Sequence, residues 1–207
     1  KIQDIYNSTL AFADSEGFLF WAKDEDGYSD NSLITASCSV HISLKTYEKI
    51  ADILDLDSNH KEILLSQEKI NSNKFDRDGV SRKRFSMDNY YPFLCRIGND
   101  ELISKTLSEF YNDGLGIKCV IEEPWVTFAE SSEFIISLVV MNRKEDAKKI
   151  LEEIMRFQDS RGIFPTGYQY ELDILWPDEF STWTNAAVII AADCVFGISK
   201  KGNVFLV

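Results

Sequence analysis

The sequence is short of several things. Histidine occurs only at His41 and His60, proline four times, and the four cysteines (Cys38, Cys95, Cys119 and Cys194) form no CxxC pair. A zinc site built on Cys and His has too few ligands: Cys38 and His41 lie one helical turn apart, with no third partner evident. Widely spaced cysteines, two of them inside apolar runs, read as reduced, buried thiols and lead us to expect a cytoplasmic protein. Lysine and arginine total 22 against 34 acidic residues, a net charge of −12 with no basic run. Nucleic acid and anionic membrane surfaces, which need a basic patch, are excluded as partners. The longest apolar stretch, Phe134–Met141, is interrupted by Ser137 and is far too short to span a bilayer. GxSxG, P-loop and GxGxxG patterns are absent, which removes the enzyme classes built on them. No cofactor and no metal are expected.

What is present is a globular composition, 44% hydrophobic and 13% aromatic, in a chain of 207 residues. The chain begins at Lys1 in what reads as the end of an amphipathic helix, so a longer protein is expected, of which this is the C-terminal part. The sequence also repeats itself. Phe12–Phe20 (FADSEGFLF) matches Phe157–Pro165 (FQDSRGIFP), and the shared register runs on until Ser37 and Ser39 fall on Thr182 and Thr184. Each copy reads as helix end, turn, acidic loop and buried run.

Buried segments are expected to begin near Ile34, Ser86, Thr127 and Ser181, a spacing typical of helical hairpins. Thr127–Met141 is apolar nearly all round and reads as an enclosed helix. Lys144–Gln158 carries one apolar stripe (Ala147, Ile150, Leu151, Ile154, Met155) and reads as an outer helix, as does the stretch from Leu102 to Tyr111; Asn59–Ile70 does so weakly. Ile34–Leu44 alternates like a strand, but its repeat mate is Ala-rich, so a helix is predicted. The expected architecture is all-α: one (α/α) toroid domain of the six-hairpin type over residues 1–207, incomplete in this chain. An open ring exposes inner-helix surface, which predicts a homodimer.

Three stretches could carry chemistry. Arg84–Pro92 (RFSMDNYYP) sets Asp88 among aromatic rings at the start of a buried segment, where it could equally cap the helix. Glu122–Glu133 (EEPWVTFAESSE) places Glu130 in the first turn of an apolar helix, where a carboxylate needs a partner or a task. Its T-x-x-E spacing from Thr127 also fits a capping box. Glu133, on the same face, is ranked second because it lies further from the loop-lined mouth. Leu172–Asp193 brings Trp176, Asp178, Glu179 and Trp183 to the head of another helix. Two facing carboxylates are what glycosidic cleavage requires. Glu130, Asp88 and Glu179 are therefore the candidate acid and base. Trp125, Trp176, Trp183 and Tyr90 form the expected sugar platform, with Tyr168, Arg84 and His41 as further ligand contacts.

The runs RFSMDNYYP, GLGIKCVIEEPWVTFAE, PTGY and WPDEFSTWTNAAVIIAAD together resemble a bacterial family often labelled prenyltransferase, over Gly17 to Asp193. That label comes from a similarity of fold to the terpenoid cyclase and protein prenyltransferase toroids. The resemblance implies an (α/α) toroid and family members longer at the N-terminus. It does not carry over the chemistry residue by residue. The Asp, Cys and His trio that holds zinc in protein prenyltransferases is not apparent, and the DxDD motif of squalene-type cyclases is absent. Six-hairpin glycosidases share a similar toroid, with carboxylates at inner-helix N-termini, and Asp88, Glu130 and Glu179 match that placement in kind. A carbohydrate-active hydrolase acting on an oligosaccharide is the leading expectation. The alternatives are a protein acting on an isoprenoid diphosphate and a non-catalytic ligand-binding toroid.

Overall fold

The computed structural model describes residues 1–76 and 80–199, which fall into two compact units divided between Arg82 and Lys83. In the first unit, helix α1 (Ile2–Leu10) and helix α2 (Ile34–Leu54) contribute Tyr6, Leu44, Tyr47 and Ala51 to a small core. Tyr6 and Tyr47 stack at 4.2 Å between ring centroids. The alternating stretch within α2 is helical, as its repeat mate predicts. The weak outer helix expected over Asn59–Ile70 does not form; turns take its place, ending in a 3-10 turn at Lys69–Asn71.

The second unit is built around one buried helix. Its elements in chain order are α3 (Ser86–Leu94), α4 (Asp100–Phe110), β1 (Tyr111–Asn112), β2 (Gly116–Lys118) and β3 (Trp125–Thr127). There follow α5 (Phe128–Val140), α6 (Lys144–Ile154), β4 (Gly167–Gln169), β5 (Ile174–Leu175) and α7 (Thr182–Phe196). Helix α5 packs on α3, α6 and α7. Phe128, Phe134, Ile135 and Leu138 of α5 are fully enclosed, and Ile103, Ile150, Leu151, Val188 and Ala191 close the core around it. Burial of this size is the dominant force holding the unit together. Side chains set two helix starts: Asn99 accepts from the Leu102 amide and Ser181 from the Thr184 amide.

The all-α expectation is overturned by the loops. Five short strands form one antiparallel sheet in the order β1-β2-β3-β4-β5, so the fold mixes helix and sheet and is not an all-helical toroid. The physical reason is local. Each strand is two or three residues long, too short for an alternating pattern, and exists because its neighbour offers a ladder. Ile117 pairs with Thr127, Thr127 with Gly167, and Gln169 with Ile174.

The repeat is real at the level of atoms. In the first copy the Asp14 side chain accepts from the amides of Glu16 and Phe18, both at 2.9 Å. In the second, Asp159 accepts from Arg161 and Ile163 at 2.8 and 3.0 Å. Gly17 and Gly162 occupy the same left-handed conformation, with φ of 78° and 80°. A hairpin follows each turn, closed by the bridge Lys23↔Tyr28 in one copy and by β4–β5 in the other. The register then slips. An unbroken repeat would start the second helix at Glu179, yet α7 starts at Thr182, because its approach loop is three residues longer.

Candidate functional site

Glu130 and Glu133 lie three residues apart on the first turns of α5, the spacing that puts two side chains on one helix face. Glu130 is only 8% exposed. The Thr127 hydroxyl donates a short hydrogen bond to its Oε2 and caps no backbone amide of the helix, so the capping-box geometry is not formed. The Ser86 hydroxyl and the Cys119 thiol also border this carboxyl. Ser86 is fully buried, and its Oγ meets no partner at good hydrogen-bond geometry. Burial raises the Glu130 pKa above the ordinary glutamate value, against the pull of Thr127, Cys119 and Ser86. The same burial, with the Glu130 charge, pushes the Cys119 thiol up to about 12.

Glu133 is partly buried and doubly held. Tyr90 donates to its Oε2 at 2.7 Å and Tyr91 to its Oε1 at 3.3 Å. Burial raises its pKa too; the Glu130 charge adds to the rise and the two tyrosines oppose it. Both phenols come from α3, which is why packing of α3 on α5 matters to the site. Backbone pairing brings Ser86 and Cys119 to the same place: the Ser86 amide donates to the Cys119 carbonyl at 3.0 Å, beside the bridge between Phe85 and Val120.

The other expected residues are placed as follows. Asp88 is buried in the first turn of α3. Glu179 is exposed; its carboxylate accepts from the Thr166 hydroxyl at 3.0 Å, and its carbonyl accepts the Thr166 amide. The Thr166 carbonyl in turn accepts the Phe128 amide at the head of α5. Glu179 and the helix carrying Glu130 thus share one hydrogen-bonded strand end. Trp176 and Trp183 are 57% and 62% exposed, and Phe180, Ile174 and Leu175 are exposed as well. Trp125 is half-buried and donates its indole N–H to the Trp176 carbonyl at 2.7 Å. That contact passes directly over Gly167, where a side chain would collide with the Trp125 ring and two carbonyls. Tyr168 donates to Asp173 at 2.6 Å.

Three placements differ from expectation. Tyr90 is fully buried and offers no ring face to a ligand; its hydroxyl is what serves the site, through Glu133. Arg84 points at Glu122, with Nε 3.4 Å from the carboxylate. His41 belongs to the first unit, where its Nδ1 accepts the Leu65 amide at 3.1 Å. Burial, with Lys45 nearby, lowers its pKa and keeps the ring neutral. Ser86, Cys119 and the Glu133 clamp escaped the sequence reading. The one available signal was the Glu130–Glu133 spacing, since the partners come from elements distant in the chain.

Among the described residues no group of three His, Cys, Asp or Glu side chains is arranged to hold a metal ion, and no helix is long and apolar enough to cross a membrane. No family model matches the chain. Among proteins of known activity it is similar to the MMP endo-(1,4)-3-O-methyl-alpha-D-mannosidase of Mycolicibacterium hassiacum, 28% identical over 193 residues. The match takes in 91% of this chain and 54% of that enzyme, so the chain spans about half the length of the relative.

Proposed function

We propose that the second unit carries the site of a carbohydrate-active hydrolase, with Glu130 as the acid that protonates the departing glycosidic oxygen. The observation that carries this reading is the enclosed carboxyl of Glu130, its pKa raised by burial, on the unit that also carries the exposed Trp176 and Trp183. A general acid must hold its proton near working pH, and burial is the usual means. The similarity to a mannosidase supports the class of reaction. The relative's name further suggests an α-mannoside bearing methyl ethers as the substrate. Trp176 and Trp183, with Trp125 behind them, suit such a ligand, because indole faces pack against C–H and methyl groups.

The Glu130 proton passes to the glycosidic oxygen as the C–O bond breaks. A second carboxylate either takes a proton from the water that attacks the anomeric carbon, or attacks that carbon itself to form a glycosyl ester, which water deprotonated by the Glu130 carboxylate then hydrolyses to free both acids. Glu179 and Asp88 are the candidates for this role. Glu179 fits better on accessibility, being open to solvent and tied through Thr166 to the head of α5. Incubation with (1,4)-linked 3-O-methyl-α-mannosides, with new reducing ends counted, tests the reading. Release by the wild-type chain and its loss in Glu130→Gln is the expected result; equal release by both removes Glu130 from the mechanism. Stabilisation by isoprenoid diphosphates with Mg²⁺, and by no sugar, would overturn the class altogether.

A further inference from the structure

We infer that Trp125 and Thr166 are positioning residues that fasten the two ends of the exposed loop 176–179, Trp125 holding the sugar-binding Trp176 and Thr166 holding the carboxylate of Glu179. This deepens the proposed function and rests on it for the roles of Trp176 and Glu179. At one end of the loop the Trp125 indole N–H donates to the Trp176 carbonyl at 2.7 Å, and the Trp176 amide donates to the Gly167 carbonyl at 3.0 Å. At the other end the Thr166 hydroxyl donates to the Glu179 carboxylate and the Thr166 amide to the Glu179 carbonyl, both at 3.0 Å. Both fastening points belong to the chain segments that meet at the head of α5. Trp125 opens β3, which runs directly into α5, and the Thr166 carbonyl accepts the Phe128 amide at 3.1 Å. The loop is thereby held in register with the helix that carries Glu130. Holding a binding ring and a reacting carboxylate in place beforehand removes part of the entropy cost of reaching the reactive arrangement.

Two further observations tie these bonds to the loop. A Cβ at Gly167 would lie 2.6 Å from Trp125 Nε1 and 2.8 Å from the Trp176 carbonyl, so the absence of a side chain there is what lets indole and carbonyl meet. The repeat gives the comparison. In the shared register Trp21 stands in the place of Thr166 and Ala22 in the place of Gly167, so the first copy has neither the hydroxyl nor the room. Its hairpin closes through the bridge Lys23↔Tyr28 all the same. A hairpin after this turn does not need the two fastenings; the loop that carries Trp176 and Glu179 is what they hold.

The test uses the full chain with a (1,4)-linked 3-O-methyl-α-mannoside and separates binding from turnover. Trp125→Phe keeps a ring and loses the N–H; it should raise the sugar Kd about threefold, the worth of one hydrogen bond, and lower kcat by less. Thr166→Val keeps every backbone bond and loses only the hydroxyl; it should lower kcat about tenfold, within what misplacing a reacting group costs, and change Kd by less. Thr166→Ser should restore the rate. Loss of kcat and affinity alike in both variants, or no rescue by serine, overturns the inference. Hydrogen exchange reads the loop without substrate: in Trp125→Phe the Trp176 amide should exchange faster, while the Thr184 amide at the head of α7 stays as in the wild type. Thr166→Val, the milder change, decides by rate and rescue if Trp125→Phe does not fold. An unmoved Trp176 amide overturns the inference whether or not glycoside is cleaved. Faster exchange in a chain that cleaves no glycoside upholds the fastening and overturns the proposed function alone.

Discussion

The two copies of the repeated turn use the same hydrogen bonds and are put to different ends. In the first copy the turn is covered. Lys74 reaches Asp14 at 2.8 Å and Glu16 at 2.9 Å, Lys69 donates to the Gly17 carbonyl, and the Glu62 backbone lies against Gly17. In the second copy the turn stands open: Asp159 bonds only to its own loop and to Arg161, two residues away, and the nearest atom to a side chain at Gly162 would be 4.0 Å off. The hairpin after it joins a five-stranded sheet through β4, which places Trp176 against Trp125 and Thr166 against the head of α5. The turn is therefore a scaffold. The chemistry we propose lies on the copy whose hairpin is hydrogen-bonded to the helix bearing Glu130.

That contrast can be broken in several places, and the largest effect belongs to the acid. Glu130→Gln should lower glycoside turnover by about 10²–10⁴-fold, the usual worth of a general acid. Asp24→Asn, in the acidic hairpin of the first copy, should leave turnover unchanged. The same Glu130→Gln chain should melt higher at neutral pH, because a carboxyl whose folded pKa is raised above its unfolded value costs stability there; each kcal/mol regained adds about 2–4 °C in a chain of this size. A lower melting point would show that the carboxylate is paired more strongly than the structure indicates.

Next come the glycines. Gly17→Ala meets both left-handed strain and the Glu62 carbonyl and should cost about 3 kcal/mol, whereas Gly162→Ala meets strain alone and should cost about 1 kcal/mol. Denaturant melts of the two variants check the difference, and equal losses would mean that the turns are packed alike. Trp176→Ala should weaken sugar affinity by about tenfold, equivalent to about 1.4 kcal/mol. Trp21→Ala, removing the 53% exposed indole of the first copy, should not. Titration calorimetry with a methylated mannoside separates the two.

The smallest effects are in pH. Burial pulls the Asp14 pKa up, but Lys74 and two backbone amides outweigh it and hold the value below the ordinary range; for Asp159 the Ile163 amide leads the same lowering. A depressed carboxyl contributes stability above its unfolded pKa and loses it as pH falls through the folded one. Both turns should therefore weaken in acid, and Asp14→Asn or Asp159→Asn should flatten that loss. Glu130 and Glu133 work in the opposite sense. Their raised values make the fold lose stability as pH rises from the ordinary glutamate pKa through the folded ones. Melting curves from pH 3 to 8 would contradict this if Glu130→Gln left the neutral side unchanged.

The helices were legible because they rest on long periodic signals. The starts expected near Ile34, Ser86, Thr127 and Ser181 all begin helices. The sheet was not legible, because strands such as Ile174–Leu175 carry no pattern of their own and owe their form to a partner. The helical-hairpin spacing passes over such strands, which is why it predicts an all-helical toroid. At the site, Glu130 stood out because a carboxyl in so apolar a helix is conspicuous. Glu133 reads as second to it because it lies further from the loop-lined mouth, and the Tyr90 and Tyr91 hydroxyls that hold it come from more than forty residues away in sequence. The sequence also predicts Tyr90 as part of the sugar platform, because composition shows an aromatic ring but not which end of it is free.

The most direct test of the central claim compares the wild-type chain and Glu130→Gln on one (1,4)-linked 3-O-methyl-α-mannoside, measuring binding and reducing-end release together. The account predicts that the variant binds the sugar as the wild type does and releases almost no product. Release at the wild-type rate by the variant, with the sugar bound equally well, would contradict it.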